Sequence, residues 1–458
     1  MREMALHMDA RARTPDARRL RASSTVPVVA AWCGLVISGG VLVYVLLVAS
    51  GAKRLDGVPL HAAFDPHVSW SVAVPILVAS IAIASRRAVG ALPWPTLLGA
   101  TWLSAATWAL ALALVRGVDR IGAPFGQPHD YLAVLGRVDS LGAFLSSFVD
   151  EIASFPVHVQ GHPPGFVVVA TVVRAVGLGG PLPLALLCVA VGAAAAPLAL
   201  VTVREVAGEE WARRAAPFTV VAPTAIWVAT SADAFFSGIG AAAIALLVLG
   251  TDRHRRWRDL CAVTGGMLFG VVAMLSYGLV LLAAVPLAVA AARRRVRPIA
   301  LAAAAALAVI AVFAASGFWW LDGLFATRDR YYAGIASRRP YELFVYVNLA
   351  ILALALGPAI AVGLARLRSR PMWIVVGAAL AAILVADLSG MSKSEVERIW
   401  LPFTPFLLVA GGALARGGRT AATDRGSRRR STLDTGAAWL AVQAGVAVMI
   451  ETLVRTAW

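Results

Sequence analysis

Cysteine and charged residues are scarce in this chain. Only 3 of its 458 residues are Cys, and Asp, Glu, Lys and Arg together make up 14%. Cys33, Cys188 and Cys261 stand alone in apolar runs, without the spacing of a disulfide framework or a cysteine metal site. Soluble domains carry about 25% charged residues. The low charge and the 60% of hydrophobic residues therefore exclude an ordinary soluble fold.

Long apolar runs fill most of the chain. Runs such as 28–50, 92–115, 298–320 and 343–364 reach the roughly 20 residues that a helix needs to cross the hydrocarbon core. Only helices satisfy all backbone polar groups within one segment at such lengths. The first run is too long for a signal peptide and lacks a small-residue cleavage site, so we expect it to remain a helix. The sequence predicts an all-α, polytopic transmembrane bundle of about thirteen helices.

Acidic residues are fewer than basic ones, 25 against 41, which gives a formal charge of +16. The arginines stand in short connectors between apolar runs, which is the positive-inside pattern of cytoplasmic loops and not the single stripe of a nucleic-acid-binding protein. We therefore expect no nucleic-acid partner and place these connectors in the cytoplasm. They are 11–21, 86–87, 204–214, 253–258, 293–297, 366–370 and 416–430.

Basic and non-basic connectors alternate along the chain, and this pattern divides it into four predicted parts. These are a disordered cytoplasmic arm at 1–26, two added transmembrane helices at 27–93, a transmembrane core at 94–415, and a cytoplasmic loop with a final helix at 416–458. The core would carry outer loops at 116–164, 321–342 and 389–401, with short helices on the outer face. Its helices would include 216–232, 343–364 and 401–415.

Two apolar segments of the core do not fit a single helix that crosses the membrane. The apolar segment 165–178 contains Arg174, and a charge at mid-depth is costly, so we expect a half-membrane or interfacial helix there. The segment 261–292 has basic residues at both ends. We interpret it as two short helices that meet near Ser276 and Tyr277.

Three polar motifs stand at the predicted outer ends of helices. His158 and His162 precede a Pro-Pro-Gly turn, Asp233 lies in a tight turn, and Lys393 and Arg398 precede an apolar run. Each also has a purely structural interpretation. The prolines suit a helix start, an aspartate suits a helix N-cap, and interfacial Arg and Trp anchor helices in the membrane.

Taken in order, these motifs resemble the membrane glycosyltransferases of the GT-C fold, especially the protein-mannosyltransferase and aminoarabinose-transferase type. The matching stretches are His129-Asp130-Tyr131, His162-Pro163-Pro164-Gly165, Arg204 to Gly208 with Pro223 and Ser231-Ala-Asp233, and Arg398-Ile-Trp-Leu-Pro402-Phe-Thr-Pro405. The resemblance spans 94–415. Departures are the two added helices, Gly165 in place of Leu, Ser276-Tyr277 in place of a lysine, and the lack of a large soluble C-terminal domain.

The resemblance implies an integral membrane enzyme of the bacterial plasma membrane. It would transfer a hexosyl or pentosyl unit from a polyprenyl-phosphate donor to an envelope glycan, lipid or protein acceptor on the outer face. The basic N-terminal arm places the N-terminus in the cytoplasm. Its partners would be the donor, the acceptor and membrane lipid. The sequence leaves open whether a divalent metal takes part.

Such a transfer needs a general base for the acceptor hydroxyl and cations for the leaving phosphate. Asp130 matches the acidic residue that opens the family's outer loop and is the expected base, with Asp119 as its nearest rival. Arg398 is expected to hold the phosphate through its guanidinium fork, with help from Lys393, Arg328 and Arg330. The residues expected to bind or orient substrate are Tyr131, His158, His162, Asp233 and Glu397, and Asp233 is expected to orient loop residues or to meet His162.

Two other classes of function remain as alternatives, a multi-pass secondary transporter and a non-catalytic protein of envelope assembly. A transporter needs ionisable residues near the bilayer midplane, where the sequence offers only Arg174 and Asp387 as candidates. The very unequal predicted outer loops and the lack of matching broken helices argue against an inverted-repeat transporter.

Overall fold

The computed structural model describes residues 25–49, 62–229, 231–415 and 435–456. Helices dominate these ranges, as a chain in lipid requires. The α-helices are α1 Thr25–Ala49, α2 Ala73–Ala91, α3 Trp94–Ala113, α4 Leu141–Ser147, α5 Val157–Gln160, α6 Gly165–Ala175, α7 Pro181–Ala193, α8 Ala195–Ala207, α9 Glu209–Val220, α10 Ala232–Gly250, α11 Arg258–Leu275, α12 Ala284–Ala292, α13 Arg297–Ala315, α14 Trp320–Ala333, α15 Tyr341–Leu356, α16 Pro358–Arg366, α17 Arg370–Leu388, α18 Val396–Ile399, α19 Pro405–Leu408 and α20 Thr435–Leu453. The predicted disordered arm, up to residue 24, and the predicted loop 416–434 lie outside the described residues.

Within the described ranges, nine helices are long and apolar enough to cross a membrane, and a bent pair of helices makes a tenth candidate. Three further apolar helical segments are shorter. The nine are Thr25–Leu46, Trp70–Ala91, Trp94–Arg116, Pro181–Ala207, Ala232–Gly250, Arg258–Leu275, Arg297–Ala315, Arg370–Leu388 and Thr435–Leu453. The prediction of a polytopic helical bundle is confirmed.

The bent pair consists of α15 and α16, which meet at 96°. Gly357 takes a φ of 80° at the bend, a conformation that glycine adopts without steric cost. The buried side chain of Gln443 fills the break. Its Oε1 accepts the Ala359 N–H at 3.2 Å and its Nε2 donates to the Leu356 carbonyl at 2.8 Å. The prediction of one continuous helix over 343–364 was therefore wrong.

Prolines account for two more differences from the predicted helices. The helix expected at 216–232 begins earlier, as α9, and Pro223 then starts a separate 3₁₀ segment, Pro223–Trp227. The helix expected at 401–415 consists of short pieces, because Pro402 and Pro405 each remove a backbone donor from the hydrogen-bond ladder.

The basic connectors meet at one end of the bundle, which we call the arginine face and define as residues 86–93, 204–214, 251–259 and 293–297. Glu205 accepts hydrogen bonds from Arg255 at 3.0 Å and from Arg293 at 3.1 Å. Arg213 donates to the Gly90 carbonyl at 2.8 Å, and Arg297 pairs with Asp259 at 2.8 Å. These four connectors were predicted to share one side of the membrane, and ion pairs and a hydrogen bond to the backbone join them.

The three predicted outer loops pack together at another surface, which we call the loop face and define as residues 116–164, 319–340 and 389–400. It contains the short helices α4 and α5, as predicted. Thr327 donates to the Gln160 carbonyl at 3.1 Å, and Arg330 donates to the Gln160 Oε1 at 3.0 Å. The Tyr332 hydroxyl donates to the Gly390 carbonyl at 3.2 Å, which joins the second loop to the third.

The helix α6 begins and ends on the loop face. Its 11 residues span roughly 16 Å, too little to cross the hydrocarbon core. Arg174 near its C-terminus donates to the carbonyls of Leu135 and Val138 in the first loop. This length agrees with the prediction that the segment does not make a full crossing, and Arg174 contacts the first loop. The predicted break near Ser276 is also confirmed, because α11 ends at Leu275 and a 3₁₀ segment, Tyr277–Ala283, follows.

A two-stranded antiparallel sheet connects the N-terminal part to the last helix. It pairs β1 Ala62–Phe64 with β2 Val454–Thr456, with Ala62 opposite Thr456. Arg116 pairs with Asp65 at 3.2 Å and donates to the Glu451 carbonyl at 3.2 Å. These bonds hold the end of α3, the strand β1 and the end of α20 together.

We expect Gln443→Leu to weaken the fold while keeping a side chain of similar size. The buried Ala359 N–H and Leu356 carbonyl would lose their partner, so the free energy of unfolding should fall by about 1–3 kcal/mol. Unfolding of the purified protein in a denaturing detergent measures the change. Val442→Ala, at the exposed neighbouring position, is the control and should unfold like the wild type. Equal stability of Gln443→Leu and wild type would show that the bend does not need this side chain.

Candidate functional site

The loop face brings the three predicted motifs together around a buried ion pair. Asp233 lies in the first turn of α10, and Arg398 lies in α18. The Arg398 Nη1 donates to the Asp233 Oδ2 at 2.7 Å, and both side chains are buried. An ion pair without water is stable only when the geometry is good, and the loss of one partner leaves a costly buried charge. The N-terminus of α10 is thereby fixed to the segment 393–398.

Asp130 forms the second buried pair of the site. Its Oδ1 accepts the Tyr131 N–H at 2.6 Å, as the N-cap of a 3₁₀ segment, Tyr131–Arg137. Its Oδ2 lies 2.7 Å from the Nδ1 of His158, which stands on the short helix α5. The His158 N–H also donates to the His129 carbonyl at 3.1 Å. Both oxygens of Asp130 therefore have partners, and His158 is held in one orientation.

His162 and Tyr131 fill the space between the two pairs. The His162 Nδ1 donates to the His158 carbonyl at 2.9 Å, and its ring lies 6.0 Å from the Tyr131 ring and 5.7 Å from that of Phe236 on α10. Burial lowers the pKa of His162 to about 4, so this imidazole is neutral at pH 7. A neutral imidazole with Nδ1 protonated presents Nε2 as an acceptor.

The Tyr131 hydroxyl is buried and makes no hydrogen bond within the described residues. Burial raises its pKa well above the usual value, the charges of Asp233 and Asp130 raise it further, and the charge of Arg398 opposes them. All three charged groups thus lie within electrostatic reach of one hydroxyl. The predicted residues Asp130, Tyr131, His158, His162, Asp233 and Arg398 form one cluster.

Asp233 was predicted to orient loop residues or to meet His162. Its hydrogen bond goes to Arg398 in the third loop, which fits the first of these two expectations. His162 lies close enough for the charge of Asp233 to act on its pKa. The N-cap alternative does not describe Asp233, because Ser231 is the N-cap residue of α10.

The segment before Arg398 is strained. Ser394 has a φ of 75° and Glu395 a φ of 63°, a left-handed conformation that side chains other than glycine rarely adopt. Glu395 accepts a hydrogen bond from the Arg398 Nη2 at 3.2 Å. The Lys393 ammonium donates to the Ala336 carbonyl at 3.1 Å and lies 5.3 Å from the Tyr332 ring centre. Lys393 is therefore buried against the second loop.

The other predicted residues take different places. Glu397 is buried beside Arg398 in α18. Arg330 bonds to Gln160 at the edge of the cluster. Arg328 is exposed and pairs with Asp329 at 3.0 Å. Asp119 is exposed in a turn, Val118–Ile121, and makes no contact with the cluster in the described part of the chain.

Sequence reasoning missed Arg339. Its side chain is buried, its Nη1 donates to the Lys393 carbonyl, and the same nitrogen lies 3.8 Å from the Glu395 Oε1. Tyr331 was missed as well, and its hydroxyl accepts the Lys393 N–H at 2.7 Å. An arginine next to Arg338 in a predicted loop gives no local sign of burial, so only the packing of two loops identifies it.

A metal centre finds no support in the described ranges, where no group of three or more His, Cys, Asp or Glu side chains converges. A small cavity of about 40 Å³ lies deeper in the bundle, lined by Ser237, one turn along α10 from Asp233, and by Thr404. It has room for water molecules and not for a sugar.

No family model and no curated protein matches the chain. Among solved structures, the chain is similar to the crystal structure of ArnT from Cupriavidus metallidurans in the apo state, with 17% sequence identity and a TM-score of 0.42. The similarity covers 60% of this chain and 54% of that one, so the chain matches about half the length of that structure.

Proposed function

We propose that this membrane protein is a glycosyltransferase of the GT-C type that transfers a sugar from a polyprenyl-phosphate donor at the loop face. One observation carries the proposal: a buried carboxylate–histidine pair, Asp130 and His158, and a buried arginine, Arg398, belong to one cluster at the membrane end of three loops. Sugar transfer needs both, a base for the acceptor and a cation for the leaving phosphate. The ordered motifs that resemble the GT-C family point to the same residues.

Asp130 is the proposed base, acting together with His158. The short Oδ2–Nδ1 contact of 2.7 Å lets the carboxylate orient the imidazole and stabilise its protonated form. The proton of the acceptor hydroxyl would then pass to the pair as the hydroxyl oxygen attacks the anomeric carbon. The bond between that carbon and the phosphate oxygen would break, and polyprenyl phosphate would leave. Tyr131 and His162 would line the same space and orient the sugar.

Arg398 is the proposed phosphate-binding group. A guanidinium presents donors in a planar fork that matches phosphate oxygens, and Asp233 holds one arm of this fork in place at 2.7 Å. Lys393 and Arg330 would add positive potential from the third and second loops. Arg328 is more remote, because it is exposed and paired with Asp329.

The proposed orientation places the loop face outside the plasma membrane of a bacterium and the N-terminus in the cytoplasm. The joined basic connectors of the arginine face support it, since cytoplasmic loops carry the excess of Arg and Lys. The acceptor would be a glycan, lipid or protein of the envelope, and the sugar a hexose or pentose.

A transporter is less well supported, because the two charged residues proposed for its core contact loop residues. Arg174 bonds to loop carbonyls. Asp387 accepts from Asn348 at 2.8 Å, and the same Asn348 nitrogen donates to the Ser392 carbonyl. Both side chains therefore belong to the loop-face end of their helices.

We expect Asp130→Asn to lower sugar transfer from a polyprenyl-phosphate donor by roughly 10²–10⁴-fold, because the amide cannot stabilise a protonated His158. The measurement is transfer of radiolabelled sugar in membranes that contain equal amounts of each variant. Asp119→Asn should keep its activity, since Asp119 is exposed and outside the cluster. The reverse pattern would transfer the role of the base to Asp119, and full activity of both variants would refute the proposed site.

Arg398→Lys keeps a positive charge opposite Asp233 but loses the fork. We expect the transfer rate to fall by about 100-fold, the size of effect seen when one donor to a developing charge is removed. Arg137→Lys, which alters an exposed arginine paired with Glu151 on the same face, is the matched control. Equal rates for Arg398→Lys, the control and wild type would show that Arg398 has only a structural role.

A further inference from the structure

Glu395 stands in a position that its backbone does not favour. Ser394 and Glu395 are consecutive residues with positive φ, a strained conformation that persists only when the surroundings impose it. Here the Asn348 Oδ1 accepts the Ser394 N–H at 3.0 Å and the Tyr331 hydroxyl accepts the Lys393 N–H at 2.7 Å. Neighbouring helices thus hold the strained segment in place.

The strained conformation places one carboxylate between two arginines. The Glu395 Oε2 lies 3.2 Å from the Arg398 Nη2, and its Oε1 lies 3.8 Å from the Arg339 Nη1. The two guanidinium groups come from different loops, and each has a second partner, Asp233 for Arg398 and the Lys393 carbonyl for Arg339. Removal of the carboxylate would therefore leave both guanidinium groups in place.

Exposure differs sharply between the three side chains. The arginine side chains are 6% and 9% exposed, whereas that of Glu395 is 24% exposed. The carboxylate consequently lies on the open side of the two cations. An anion that approaches them from the loop face meets Glu395 first.

We propose that Glu395 occupies the place of the donor phosphate in the free protein, and that Arg339 is a second phosphate-binding residue beside Arg398. The inference rests on the proposed function, since it concerns the phosphate of the same lipid. Carboxylate and phosphate both bind guanidinium forks through two oxygens. An arriving phosphate would displace Glu395 toward solvent and take both arginines.

An internal competitor has a chemical purpose in this reaction. Transfer of the sugar leaves a polyprenyl phosphate monoester, which carries more negative charge than the donor diester and would bind two buried arginines tightly. Return of the Glu395 carboxylate lowers the affinity for this product and so favours its release. A binding-competent state that must first exclude a competitor has a weaker apparent affinity.

The test measures binding of farnesyl phosphate to the purified full-length protein in detergent by isothermal titration calorimetry. We expect Glu395→Gln to bind it about tenfold more tightly than wild type, because the neutral amide competes poorly for the two cations. Adding Arg339→Gln to the Glu395→Gln variant should lower the affinity for farnesyl phosphate about tenfold. If the site recognises the phosphate group and not the prenyl chain, farnesol should not compete with farnesyl phosphate. Inorganic phosphate should then bind more weakly than farnesyl phosphate, and its affinities should rank the variants in the same order.

Two further variants control for charge and folding. Glu342→Gln makes the same charge change at an exposed residue at the start of α15, and it should bind like wild type. Glu395→Asp keeps the charge but shortens the reach, so its affinity should lie between those of wild type and Glu395→Gln. It also provides the decisive comparison if Glu395→Gln fails to fold.

The outcomes separate this inference from the proposed function. Wild type that binds farnesyl phosphate, with neither Glu395→Gln nor Glu395→Asp binding more tightly, would overturn the role of Glu395 alone and indicate a purely structural ion network. Failure of both wild type and Glu395→Gln to bind farnesyl phosphate would overturn the proposed donor, and the role of Glu395 with it. An effect of Glu342→Gln equal to that of Glu395→Gln would reduce the result to overall charge and also overturn the inference.

Discussion

The ion pair between Asp233 and Arg398 joins residues 165 positions apart in the chain, and the arrangement of the loop face depends on it. A charge buried at the end of a membrane bundle is tolerated only when its partner is fixed opposite it. The pair therefore determines where the N-terminus of α10 lies relative to the third loop. That placement also sets the positions of Glu395, Arg339 and Lys393, since each contacts Arg398 or the strained segment next to it.

A second constraint comes from the backbone in lipid, where each unpaired N–H or C=O group costs several kcal/mol. The chain meets it differently at each interruption. At Gly357 a glutamine from α20 supplies the missing donor and acceptor. At α6 the helix stays on the loop face, and Arg174 bonds to loop carbonyls. Irregular backbone thus occurs where other parts of the protein provide hydrogen-bond partners for its N–H and C=O groups.

The loop face combines rigid and strained parts. The Asp130–His158 pair has both carboxylate oxygens satisfied, which favours a fixed orientation of the imidazole. The Ser394–Glu395 segment takes an unfavourable conformation that only its surroundings maintain. Such a division suits the proposed roles, in which the Asp130–His158 pair stays in place while the Ser394–Glu395 segment responds to an anion.

The sequence by itself determined the membrane-embedded helical class, the grouping of the basic connectors, the shortness of α6 and the break near Ser276. These features depend on hydropathy, length and charge within one segment, which are local properties. It also pointed to Asp130, His158, His162, Asp233 and Arg398 as residues of one site. Only the tertiary structure decided their pairing: Asp233 with Arg398 and not with His162, Asp130 with His158, and Gln443 with the break at Gly357. Arg339 joined the site on packing alone, because burial and long-range contact depend on how separate loops meet, and no local pattern in the sequence encodes that meeting.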